Sequence, residues 1–191
     1  MSLRVSLLVL ATAALTSCDR MGFGNSKSLV GARDLPAQEV LDKETIVIVQ
    51  AAGERGEHLL NVELSPDDRV TATHTFGTGQ VRRDERVIAK DSFGLRADTA
   101  DDIRQMLWRL RPDTDAAADN TVPLGCHYIF DAGYETQIAY ATPARPVLPI
   151  FALPYVRDCQ SESATEARAL IAKSLRAFRD SKVITSFPGQ G

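Results

Sequence analysis

The stretch Leu60-Asn61-Val62-Glu63-Leu64-Ser65-Pro66-Asp67-Asp68-Arg69-Val70-Thr71-Ala72-Thr73-His74-Thr75-Phe76 decides the fold. Leu60, Val62 and Leu64 alternate with Asn61 and Glu63. Successive side chains of a strand point to opposite faces, so this run is a strand with one buried side. Ser65-Pro66-Asp67-Asp68 then places proline where a type I turn takes it. Beyond the turn, Val70, Ala72, His74 and Phe76 alternate with Thr71, Thr73 and Thr75. Two period-two runs across a tight turn form an antiparallel hairpin.

Working outward, the domain begins at Glu44, and the consecutive β-branched residues Ile46 to Val49 suit a central strand covered on both faces. Gly53-Glu54-Arg55-Gly56 turns it into the hairpin. After Gly77-Thr78-Gly79, a fourth extended segment lies between Gln80 and Phe93, with Val87 and Ala89 on one face. A helix starts near Thr99, with Thr99 as cap and Asp102 three residues on; Ile103, Met106, Leu107 and Leu110 form its apolar stripe, and Pro112 stops it. Gly125 to Phe130 and Glu135 to Ala141 read as a second hairpin. From Thr142 to Tyr155, Pro143, Pro146, Pro149 and Pro154 punctuate an apolar run, which favours an edge strand or a polyproline-like crossover.

Ser163 and Glu166 then make a capping box, and Ala167, Leu170, Ile171, Ser174, Leu175 and Phe178 give a second helix its stripe. Val183 to Phe187 is a candidate terminal strand. The two helix stripes match at a constant offset, a pattern that a duplication or any two helices docked on one sheet would produce. The expected fold is α+β: an antiparallel sheet of about six to seven strands with two helices packed on one face.

The amino terminus carries the most specific signal. Met1 to Arg4 is a minimal positive region, and Val5 to Leu15 is apolar apart from Ser6 and Thr12. That run is too short for a spanning helix, which needs about 20 residues, and suits a secretory signal. Leu15-Thr16-Ser17-Cys18 resembles the lipobox of bacterial lipoproteins. The resemblance implies lipid attachment at Cys18, removal of residues 1–17 and anchorage in a membrane of the cell envelope, facing the periplasm. Cleavage after Ala13 within Ala11-Thr12-Ala13, or no cleavage, are the competing readings. In enterobacterial lipoproteins an aspartate after the cysteine resembles an inner-membrane retention signal, and Asp19 favours the inner over the outer membrane on that basis. The expected organisation is a signal peptide over 1–17, a lipidated cysteine with a flexible tether over 18–43, one domain over 44–187 and a tail over 188–191.

Three cysteines are odd for an oxidising compartment, and lipidation of Cys18 removes the oddity. Cys126 and Cys159 are then a natural disulfide pair, closing a loop of about 34 residues worth roughly 3 to 4 kcal/mol by chain entropy. A redox pair, a metal site with His127, and two buried free thiols are the alternatives; there is no Cys-x-x-Cys and no evident fourth zinc ligand.

Composition narrows the function classes. The 22 basic and 25 acidic side chains are interspersed and the formal charge is -3, so no basic stripe points to nucleic acid. Asp113, Asp115 and Asp119 suggest calcium, but Ala117, Ala118 and Leu124 stand where an EF-hand needs a ligand, a glycine and a glutamate. His58, His74 and His127 are the only histidines; His74 lies on the apolar side of its strand, as a core residue would, and no phosphate-cradling glycine loop is present. No catalytic residue, cofactor or metal is assigned. The expectation is a lipid-anchored envelope protein binding a protein partner or small ligand, with Pro146, Val147, Leu148 and Phe151 as the candidate partner surface; a buried crossover with ordinary core packing is the other reading of that segment. An envelope hydrolase or thiol enzyme, with a site assembled across the fold, is the alternative.

Overall fold

The turn at residues 65–68 sets the register of the sheet. The Asp68 amide donates to the Ser65 carbonyl at 3.1 Å, the Ser65 amide donates to the Arg69 carbonyl at 3.0 Å, and Ser65 Oγ donates to the same carbonyl at 2.9 Å. Asp68 has φ 59°, which makes the loop a type I turn followed by one left-handed residue. Aspartate is among the few residues that take this conformation without a large penalty. The strands on either side pair with Leu64 opposite Val70, Leu60 opposite His74 and His58 opposite Phe76.

A computed structural model describes residues 35, 37–53, 57–77, 85–112, 124, 134–142 and 150–188. Among them the chain forms an α+β arrangement, an open antiparallel sheet of six strands with a few helices. In chain order the elements are α1 (Gln38–Leu41), β1 (Thr45–Ala52), β2 (His58–Leu64), β3 (Arg69–Phe76), β4 (Arg86–Gly94), α2 (Ala97–Trp108), β5 (Tyr134–Ala141), β6 (Ile150–Pro154), α3 (Glu162–Ala177) and α4 (Lys182–Thr185). The strand order is β4-β3-β2-β1-β5-β6.

β1 lies in the middle, between β2 and β5, as its β-branched run requires. Its two sides are not equally covered: Ile46 and Ile48 are buried, whereas Val47 and Val49 are half-buried. β5 pairs with β1 on one side and β6 on the other, and the segment 125–130, expected as its hairpin partner, lies outside the described residues. β6 is an edge strand, where proline costs least. In β4 the register shifts between His74 and Thr75: Ala89 lies opposite His74 and Val87 opposite Thr75. The shift separates the two residues expected on one face, leaving Ala89 half-buried and Val87 57% exposed.

The helices differ from expectation mostly at their ends. α2 begins at Ala97, before Thr99, and its cap residue Arg96 makes no side-chain capping hydrogen bond. α3 begins at Glu162 because Ser161, rather than Ser163, accepts from the Ala164 amide, at 3.1 Å. The chain end is helical rather than extended. Ser181 caps it by accepting from the Ile184 amide at 3.4 Å, and Val183, Ile184 and Phe187 are all buried. Leu41 in α1 is buried too.

One core joins Ile46, Ile48, Leu60, Val62, Val70 and Ile138 of the strands to Ile103, Leu107, Ile171 and Leu175 of the helices. Charged side chains tie the layers together. Arg104, 2% exposed, reaches from α2 to the hairpin turn, where Nη1 meets Asp68 Oδ1 at 2.6 Å and Nη2 donates to the Ser65 carbonyl at 2.8 Å. Arg111 donates to the buried Glu44 carboxylate and lies 4.8 Å over the Trp108 ring.

Candidate functional site

A solvent-open cleft of about 370 Å3 lies where the end of β4, the start of α2 and the end of α3 meet. Its lining is Phe93, Gly94, Leu95, Arg96, Thr99, Arg176, Ala177, Arg179 and Asp180. Three arginines thus face one aspartate over a partly apolar floor. Each is there for a local reason. Arg96 ends the connection from β4 and begins α2, and Arg176 and Arg179 finish α3, where cations complement the carbonyl end of a helix. The tertiary fold brings that end beside the amide end of α2, which bears partial positive charge and lacks a side-chain cap at Arg96.

A carboxylate already occupies part of this field. Arg96 pairs with Asp98, whose Oδ1 accepts from the Thr99 amide at 2.7 Å and the Thr99 hydroxyl at 3.2 Å. Desolvation works against its charge, but the hydrogen bonds from Arg96 and the Thr99 amide prevail and hold the Asp98 carboxyl below the usual range. Among the described residues, Arg176 and Arg179 make no ion pair. A second cleft of about 200 Å3, lined by Leu35, Asp102, Gln105, Met106, Arg109 and Lys173, is of mixed charge.

The two described histidines come together. His58 Nδ1 and His74 Nε2 are 3.0 Å apart, so one ring donates a proton and the other accepts it. Phe187 of the chain end stands edge-on to His74 at 5.2 Å, and Phe76 lies 4.9 Å from His58. Burial, and then the neighbouring His58, hold His74 below the usual histidine range. Neither cleft is lined by this pair, which sits at the end of the core.

The other residues singled out from the sequence are dispersed. Phe151 is 0% exposed and packs in the core, opposite Ile138. Pro146, Val147, Leu148, Cys18, Cys126 and His127 lie outside the described residues. Cys159 is buried, its Sγ 4.0 Å from Ser161 Oγ, and Ser161 Oγ donates to the Leu124 carbonyl. Arg168 fixes this corner, with Nη1 donating to the Cys159 carbonyl at 2.9 Å, Nη2 to the Pro154 carbonyl at 2.8 Å, and Nε to Glu135 at 3.1 Å.

Sequence reasoning missed the arginine cleft because its cations come from segments some eighty residues apart, each accounted for by its own helix end. The histidine pair carried a signal: once the turn pairs Leu64 with Val70, counting outward places His58 diagonally across from His74, both on the buried parity. Among the described residues no helix is long and apolar enough to cross a membrane, and no group of three potential metal ligands occurs. No protein-family model matches the chain, and no curated protein matches it.

Proposed function

We propose that this chain is a bacterial lipoprotein, anchored through lipid on Cys18 and facing the periplasm, at the inner membrane in preference to the outer. Its domain binds a small ligand without transforming it. The cleft between α2 and α3 carries the binding part of this reading. It offers three arginines, a partly apolar floor and one hydroxyl, Thr99, which donates to Asp98. The burial of Phe151 favours a small ligand in this cleft over a protein docked on the proline-punctuated segment.

Two structural points belong to the same reading. α2 and α3 lie on one face of the sheet, supported by their common core, by the Tyr140 hydroxyl donating to the Leu107 carbonyl at 2.7 Å, and by the contact of Phe93 with Phe178. Cys126 and Cys159 form a disulfide, supported by Ser161, which holds Leu124 beside Cys159. Cys126 follows Leu124 by only two residues, a chain span of at most about 7 Å, which supports the pairing.

The anchor is tested by mass spectrometry of the membrane fraction. The expected mature chain starts at an acylated Cys18, and a Cys18→Ala form processed normally into a soluble periplasmic protein would defeat the proposal.

A further inference from the structure

Resting on the reading of the domain as a ligand-binding module, we propose that the cleft takes a small phosphate-bearing ligand, its phosphate between Arg96, Arg176 and Arg179 and its apolar part against Phe93, Leu95 and Ala177. Charge selects phosphate over carboxylate. One arginine satisfies a carboxylate through its two-pronged fork, and Arg96 already pairs with Asp98 through Nη2 and Oδ2. Arg176, in the last turn of α3, and Arg179, just beyond it, are two further cations opposed by only Asp180 in the lining, a field suited to a dianion. The start of α2 adds its partial positive charge from the other side. A volume of about 370 Å3 is at the small end for ligand sites. The phosphate has two sources near a membrane, a soluble ester or a lipid headgroup.

The test uses the full chain in detergent, titrated calorimetrically with inorganic phosphate and with glycerol 3-phosphate. Both are expected to bind, more weakly as salt rises. Arg176→Gln and Arg179→Gln are each expected to weaken binding about tenfold while leaving the thermal midpoint unchanged. Asp98→Asn acts in the opposite direction, tightening binding several-fold by releasing Arg96, an outcome that damage to the fold would not produce. In nanodiscs, loss of glycerol 3-phosphate binding with phosphatidylglycerol but not with phosphatidylcholine identifies a headgroup as occupant; equal binding in both identifies a soluble ester. Absence of binding by both probes, or binding unmoved by the arginine substitutions, overturns the proposal and leaves the anchored-binder reading standing. Release of inorganic phosphate from glycerol 3-phosphate would instead overturn the non-catalytic reading and leave the cleft.

Discussion

Arg104 is the residue on which the hairpin and α2 most depend. Its guanidinium is buried with Asp68 and the Ser65 carbonyl as partners, Asp101 stands 3.8 Å away, and Nε makes no hydrogen bond among the described atoms. Removing one member of such a pair strands the other. Arg104→Met is therefore expected to lower unfolding free energy by about 2–4 kcal/mol in urea titrations, and Asp68→Asn by less. The double variant should cost less than the two together, because the partners are coupled. The histidine pair gives a pH dependence of definite sign. With His74 held below its unfolded value, the unfolded chain binds the proton more readily. Stability is thus full above about pH 6.5 and falls as pH drops through the lower folded value. The urea midpoint should decline between about pH 7 and pH 5, before ordinary carboxylates titrate, and His74→Leu should flatten that decline. An unchanged slope in the variant would remove His74 as its cause.

At the scale of elements, α3 owes its start to Ser161, which performs three tasks at once. It caps the helix, donates to the Leu124 carbonyl and stands beside Cys159. Ser161→Ala is expected to cost about 1–2 kcal/mol by thermal or chemical unfolding, with Ser163→Ala close to neutral. Equal effects would return the cap to Ser163, where the Ser-x-x-Glu pattern put it. That pattern misleads because Ser161 and Ser163 both precede the stripe, and the choice between them depends on Leu124, far away in sequence. The terminal helix α4 is a similar case. Val183, Ile184 and Phe187 are β-formers, yet Ser181 supplies a cap and the end of the core beside His74 supplies a place for Phe187. β4 shows the opposite influence, since a bulge opposite His74 overrides the alternation of Val87 and Ala89.

For the whole molecule, the proposed Cys126–Cys159 link is the strongest single constraint on the β5-to-α3 region. Reduction should lower stability by roughly 3 to 4 kcal/mol, and maleimide applied to denatured, unreduced protein should leave both cysteines unlabelled. Labelling at both would remove the link. Within the sheet, the alternation of Leu60 to Leu64 and Val70 to His74, together with Ser65-Pro66-Asp67-Asp68, determined the β2–β3 hairpin. The β-branched run of β1 marked the central strand and the prolines an edge. The apolar stripes located both long helices. These are local consequences of side-chain period, backbone preference and turn chemistry, and they need no knowledge of distant neighbours. Only the tertiary structure decided that β5 lies between β1 and β6, that Arg104 is interior, that Phe151 faces inward, and that Arg96 meets Arg176 and Arg179. Each depends on which distant segments are brought together, and the energy of such contacts is carried by neighbours in space rather than neighbours in the chain.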